Sequence, residues 1–330
     1  MRRRVGRPTL VTGGAGYLGV PVAEELAGAG WSVRVLDVLL HEGQTGLVPG
    51  LEARGIEVIR GDIRDPETRR RALEGIEQVV HLAAIVGDPA CARDPELAQG
   101  VNVDGTSALV AGARAAGARR FVFASTCSNY GRLADPTVPI DERGALAPVS
   151  LYARQKTGLE QALLNGGQDR MEVVCLRFAT LYGVAPRMRF DLTVNEFTRD
   201  LWAARHLEVF GEQFWRPYVH VRDAARALRL VLEAPAEDVA GAVFNVGRTG
   251  ENYRKRDIVE LIRAQTRRGS VSFVERKEDP RDYKVSFEKI AGVLGFQPEM
   301  TVADGVAEII AALDERRFPD PFGPAHTNIP

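Results

Sequence analysis

Cysteine is scarce in this sequence, with Cys91, Cys127 and Cys175 the only three in 330 residues. An odd number of widely separated thiols without a C-x-x-C pair excludes a disulfide framework and a thiolate metal cage, so no metal is expected and a reducing cytoplasm fits. Long apolar runs are missing as well. The basic opening MRRRVGRPTLVTGG is broken by glycines after a few apolar residues, so it reads as neither a signal peptide nor a membrane span. Charge of one sign is also absent, with 43 Lys and Arg against 44 Asp and Glu. That balance gives no chain-wide attraction to nucleic acid or to an anionic membrane, and neither partner is expected. The 33 glycines and 18 prolines are too few for a low-complexity chain, and no internal repeat is visible.

What is present is an ordinary globular composition, 45% hydrophobic and 26% charged, in a chain long enough for about two structural units. Short aliphatic or β-branched runs alternate with longer stretches of helical spacing. Strands are expected at Thr9–Thr12, Ser32–Leu36, Glu57–Arg60, Gln78–Leu82, Arg120–Ala124 and Glu172–Leu176, with helices at Tyr17–Ala29, Pro66–Leu73, Pro95–Ala116 and Tyr152–Asn165. Gly30, Gly55, Gly75 and Gly117 stand where helices should stop. This is the pattern of an α/β fold, a doubly wound parallel sheet of Rossmann type with helices on both faces. After Arg177 the pattern loosens into loops, short strands and helices at Leu192–Ala204, Asp223–Leu232, Arg256–Thr266 and Val302–Leu313. It reads as a smaller, mostly C-terminal α+β substrate domain. Around Tyr218–Leu232 and Val243–Val246 the strand and helix pattern returns, so the division is interleaved: residues 1–178 and 217–247 for the sheet domain, 179–216 and 248–330 for the other. The end, FPDPFGPAHTNIP, is expected to run as an extended tail.

The sharpest local signal is TLVTGGAGYLG, beginning at Thr9: a strand, then glycines, then an apolar helix. Gly13 permits the tight turn, Gly16 lets backbone N–H groups approach a pyrophosphate, and Gly19 allows close helix packing. The anion then rests on a helix N-terminus. Asp37 ends the second strand, where a carboxylate accepts both ribose hydroxyls and repels a 2′-phosphate, so NAD is favoured over NADP. Asp62, in Gly61-Asp62-Ile63, is placed to meet the adenine amino group, and the small Ala83 and Ala84 of HLAA let a cofactor lie against the backbone. His81 ends an apolar strand and reads as a packed core residue rather than a base.

Tyr152 and Lys156 stand at i and i+4, on one helix face. A phenol, with an ordinary pKa of about 10, acts as a base near neutrality only when a cation stabilises its anion, which Lys156 and a charged nicotinamide ring would do. Thr126 closes the fifth strand in STCSNYG, at the sheet edge where ligands bind in such folds, and would share the substrate's hydroxyl proton with Tyr152.

With these residues in place, the chain resembles the extended short-chain dehydrogenase/reductases, in their NAD-dependent nucleotide-sugar epimerase/dehydratase branch. The likeness runs through TGGAGYLG, Asp37, GDI, HLAA, NVDGT, STCSNYG, YARQK, LRFATLYG, RPYVHVRDAARA and the NVG at Asn245. It implies a catalytic group of Thr126, Tyr152 and Lys156 that takes a proton from a sugar hydroxyl, usually at C4, while hydride passes to NAD. It implies a cofactor lined by Gly13, Gly16, Tyr17, Leu18, Gly19, Asp37, Asp62, Ile63, Leu82, Ala83, Ala84, Ser125 and Phe178 besides Tyr152 and Lys156. Asn102 resembles the residue that supports the lysine through water and helix geometry. For a nucleotide-diphosphate sugar it implies Arg216 and Arg281 at the diphosphate, Asn195 at phosphate or sugar, and Val86, Thr126, Cys127, Ser128 and Thr180 near the sugar. Relatives form homodimers through a four-helix bundle, for which the helices Pro95–Ala116 (Leu97, Val101, Leu109, Val110) and Tyr152–Asn165 (Leu159, Leu163, Leu164) are the candidates.

Two departures bear on the reaction. Dehydratases of the family follow the catalytic threonine with an Asp-Glu pair, acid and base for the loss of water, where this chain has Cys127 and Ser128. Ordinary 4,6-dehydration is therefore disfavoured. Many epimerases carry asparagine where Thr180 stands. A sugar 4-epimerase is the first expectation; a C4 dehydrogenase or ketoreductase, or a 3,5-type epimerase with Cys127 as base, remain open, as does a non-catalytic NAD sensor.

Overall fold

The computed structural model describes residues 6–166, 170–275 and 281–328. Seven parallel strands form the main sheet: β1 (Gly6–Thr12), β2 (Trp31–Asp37), β3 (Glu57–Arg60), β4 (Gln78–His81), β5 (Arg120–Thr126), β6 (Glu172–Phe178) and, after a long excursion, β10 (Val243–Val246). Their order is β3-β2-β1-β4-β5-β6-β10. Successive residues feed opposite layers. Val11, Val80, Val122 and Val174 pack beneath the helices Gly19–Gly28 and Val221–Glu233, while Leu10, Val79, Phe121, Phe123 and Val173 pack beneath Thr106–Ala115 and Leu151–Asn165. A strand buried on both faces needs apolar residues at every position, which is why these runs are continuous rather than alternating. The order reverses between β1 and β4, and the loops that leave those strands part to open a crevice at the carboxyl edge.

Glu57–Arg60, Pro66–Leu73 and Val243–Val246 fall where the sequence pattern puts them, and Gly30, Gly55, Gly75 and Gly117 all take positive φ. The expected continuous helix Pro95–Ala116 is instead three pieces. Pro95–Ala98 and Thr106–Ala115 are α-helical, with a π-helical turn at Gln99–Gly105 between them. The extra residue per turn lets Asn102 reach out of the helix towards the loop after β4: its Nδ2 donates to the Ile85 carbonyl at 3.1 Å, and its Oδ1 accepts from the Ile85 N–H at 2.7 Å.

The chain leaves the sheet through β7 (Thr180–Tyr182) and builds two small sheets. One is β11-β9-β7, with β9 (Trp215–His220) central and β11 (Asn252–Arg254) antiparallel to it; the other pairs β8 (His206–Phe210) with β12 (Ser270–Val274). The strand expected to restart the main sheet near residue 217 thus belongs to a small sheet, and the chain regains the main layers with the helix Val221–Glu233 and β10. A separate core of Phe190, Phe197, Leu201, Ile258, Ile262, Val306 and Ile309 holds this lobe. The C-terminal tail is pinned rather than loose: Phe318 and His326 pack on Phe190, and Phe322 lies under Arg199 and Arg205.

Candidate active site

Beneath the parted loops lies a cavity of about 410 Å³, within the range of small-ligand sites. Its floor is the glycine turn. Gly13 donates its N–H to the Leu36 carbonyl at 2.8 Å and takes φ +71°, and a Cβ there would stand 2.8 Å from the Ala83 nitrogen. A Cβ on Gly19 would overlap the Gly13 carbonyl. Only glycine fits these positions, and Gly16, Tyr17, Leu18 and Gly19 line the cavity at the start of a helix that has no side-chain cap. Asp37 is held by the N–H groups of Ala15 (2.9 Å) and Leu39 (2.8 Å), one to each oxygen, which leaves a lone pair on each for a vicinal diol. Burial raises its pKa. Asp62, Ile63, Leu82, Ala83 and Ala84 continue the wall, and the Arg64 side chain holds the Asp62 carboxyl below its ordinary pKa. This cradle fits a dinucleotide with an unphosphorylated adenosine ribose.

The opposite wall carries the hydroxyls. Thr126 ends β5 with its Oγ1 accepting from the Ser128 N–H at 3.1 Å, which leaves the O–H proton to be donated elsewhere. Ser150 caps the helix Leu151–Asn165, bringing Tyr152 and Lys156 to the same cavity. The Lys156 ammonium donates to the Ala124 carbonyl at 2.9 Å and lies 5.9 Å from the Tyr152 ring centre. Burial brings Lys156 down to about 8 and pushes Tyr152 well up, so Tyr152 is a neutral phenol here and becomes a base only when further positive charge arrives. Ser125, Phe178, Thr180, Val86, Ser128 and Arg281 also line the cavity, Arg281 through an ion pair to Asp88 at 2.9 Å.

Several expected residues stand elsewhere. Cys127 is 1% exposed, its thiol donates to the Arg177 carbonyl at 3.2 Å within the core beneath the sheet, and burial drives its pKa up. It is not placed to act as a base, because the turn after Thr126 points it away from the cavity. Asn195 spends its whole amide internally: Oδ1 accepts from Gly183, and Nδ2 donates to the Tyr17 hydroxyl and the Arg189 carbonyl. That leaves no N–H of the amide for a phosphate or a sugar oxygen. Asn102, besides clamping Ile85, donates to Gln155 at 3.0 Å, so it orders the loop and helix beside Lys156 without facing the cavity. Arg216 lies behind the cavity, its guanidinium 5.4 Å from the ring centre of Tyr283, which does line it. His81 bridges Thr12 (2.7 Å) and Thr106 (2.8 Å), and burial lowers it to about 3. Of the apolar residues assigned to a helix bundle, Leu109, Val110, Leu159 and Leu163 are buried within this chain, and Leu97 and Val101 line the cavity.

Three features escaped the sequence reading. Arg177 and Glu160 form a buried ion pair beneath Ser125, which donates to Glu160 at 2.6 Å. Glu160 follows Lys156 by four residues on one helix face, between Leu159 and Leu163, and a charge in that apolar stripe was the available signal. Arg187 and Arg189 line the cavity from the loop after β7, and Asn328 lines it from the tail. No sequence pattern marks those three.

The profile of the NAD dependent epimerase/dehydratase family matches residues 9–247. The chain belongs to that family. It is 32% identical to a dTDP-glucose 4,6-dehydratase of Streptomyces griseus, over 96% of this chain and 97% of that one, and 29% identical to a UDP-glucose 4-epimerase of Rhizobium meliloti, over 89% and 93%. A crystal structure of Thermus thermophilus UDP-glucose 4-epimerase in complex with NAD superposes with a TM-score of 0.80 at 27% identity, covering 93% of this chain and 99% of that one. NAD is thus the cofactor of this family, and the glycine cradle and Asp37 are the features of this chain that suit it.

Proposed function

We propose that the protein is an NAD-dependent nucleotide-sugar 4-epimerase working through a 4-keto sugar. One observation carries this reading against the dehydratase relatives. Among the described residues, the only carboxylates lining the cavity are Asp37 and Asp62, both at the end suited to adenosine, so no acid and base stand beside Thr126 for the loss of a C6 hydroxyl. The bound cofactor supplies the hydride acceptor and a positively charged ring. Tyr152 takes the proton of the sugar's C4 hydroxyl and later gives it back, Thr126 donates its free O–H to the same oxygen, and Lys156 steadies the phenolate. Ser128, Thr180 and Val86 border the sugar, and Arg281 meets the diphosphate, a pairing that suits a guanidinium. Arg216 acts through Tyr283. A homodimer through the outer faces of Thr106–Ala115 and Leu151–Asn165, in the cytoplasm, completes the proposal.

The test is product analysis with a panel beginning with UDP-glucose, the sugar nucleotide named in two of the relatives above. The expected result is the C4 epimer without net NADH, and a loss of turnover of about 100-fold or more in Tyr152→Phe. Accumulating NADH would make the protein a C4 dehydrogenase, and a product lacking the C6 oxygen would make it a dehydratase.

A further inference from the structure

Polar groups at the Asp37 end of the cavity remain after the reaction has been accounted for. Arg187 is 4% exposed, lines the cavity, and forms no ion pair among the described residues. Its Nη2 donates to the Thr327 carbonyl at 3.2 Å, while its Nε is buried and meets no acceptor among those residues. The neighbouring Arg189 differs, because Asp191 neutralises it with bonds of 3.0 and 2.7 Å. Burial and Arg189 bring Arg187 down to about 10, so it is still a cation at neutral pH, and Asp191 and Asp37 act in the opposite sense. A buried cation with no carboxylate in ion-pair contact among the described residues is destabilising, so a fold that keeps one at a cavity wall presents it to an anion. Asn328 repeats the pattern: its N–H donates to Asp191 at 3.1 Å, and its Oδ1 is buried without a partner among the described residues.

The tail that supplies Thr327 and Asn328 is fastened down. Phe190 donates its N–H to the His326 carbonyl at 2.8 Å and packs edge-on against Phe318 at 5.3 Å, while Phe322 lies 3.5 Å beneath Arg205 and 4.4 Å from Arg199. The tail also passes the loop after Asp37, since a Cβ on Gly43 would lie 3.6 Å from Ala325.

We propose that Arg187 and Asn328 bind the adenosine half of the dinucleotide, with the guanidinium on its anionic diphosphate, and that the pinned C-terminal tail makes cofactor exchange slow. The inference rests on NAD as the cofactor and is independent of which sugar reacts. A nucleotide-sugar diphosphate has the same chemistry, and Asp37 beside Arg187 selects the cofactor.

The experiment follows the exchange of bound NAD for isotope-labelled NAD by mass spectrometry, in the full-length wild type, Arg187→Gln, Arg187→Lys and Phe322→Ala, with melting curves for each. Wild type is expected to hold its cofactor and exchange slowly. Arg187→Gln should exchange about 30-fold faster, as loss of one charged hydrogen bond implies, with Arg187→Lys between the two. Phe322→Ala leaves Arg187 in place and loosens only the tail, so faster exchange there supports the strap even if Arg187→Gln folds poorly. Unchanged exchange in folded Arg187→Gln, or a raised substrate KM alone, overturns the proposal. A wild type that binds no NAD would instead overturn the cofactor assignment itself.

Discussion

Glu160→Gln removes one charge from beneath the reactive loop while keeping the side chain's shape. The side chains of Glu160 and Arg177 are 1% and 5% exposed, and the carboxylate takes bonds of 2.5 and 3.0 Å from the guanidinium, 2.6 Å from the Ser125 hydroxyl and 3.4 Å from the Asn129 amide. Burial pulls the Arg177 pKa down, and Glu160 with Tyr130 more than offsets it, so the guanidinium is held above its ordinary value and stays charged in the variant. It would keep the Tyr130 hydroxyl, the Glu142 carbonyl and at most one bond to the new amide oxygen, with no negative charge facing it. Neutralising one member of such a pair costs about 3–5 kcal/mol. With an unfolding entropy of about 0.7 kcal/mol/K for a chain of this length, the midpoint should fall by roughly 4–7 °C. Replacing both residues, as Glu160→Leu with Arg177→Met, removes the stranded charge and should recover most of the loss. Calorimetry of Glu160→Gln and of the cycle Glu160→Leu, Arg177→Met and their double variant, in the same cofactor state, measures the coupling. A single variant within 1 kcal/mol of wild type, or a double variant as weak as the sum of both singles, would refute the assignment.

Lys156→Met carries a signed pH dependence. The ammonium's descent from 10.5 to about 8 means its burial costs roughly 3 kcal/mol below pH 8, a penalty relieved as the pH climbs towards 10.5. In cofactor-free protein the variant should therefore be the more stable at pH 7, by about 1–2 kcal/mol once the lost bond to Ala124 is subtracted, and the gap should close by pH 10.5 while turnover is lost. Urea unfolding at the two pH values checks this, and a variant weaker than wild type at pH 7 would contradict it. Gly13→Ala meets both a left-handed backbone, worth about 1–2 kcal/mol, and the Ala83 nitrogen, so it should lower the midpoint and empty the protein of NAD together; retained NAD would count against the glycine cradle.

Local chemistry settled a good part of this protein in advance. The centres of β1, β4, β5 and β6 are unbroken apolar runs, at 10–11, 79–80, 121–124 and 173–176, which only a sheet covered on both faces rewards, and the glycines at 13, 16 and 19 with Asp37 define a dinucleotide turn by backbone sterics alone. Tyr152 and Lys156 share a face because a helix repeats every 3.6 residues. Other outcomes needed the folded chain. Thr126 and Cys127 are neighbours, yet the turn between them sends one to the cavity and the other to the core. Asn195 has the chemistry of a phosphate ligand, but Tyr17, Gly183 and Arg189 already occupy its amide. The buried end of the cavity is built from Asp37, Arg187 and Asn328, and the bond from Arg187 to Thr327 spans 140 residues. No periodicity reaches across such a separation: local pattern decides which face of an element is apolar, and only packing decides what stands opposite it.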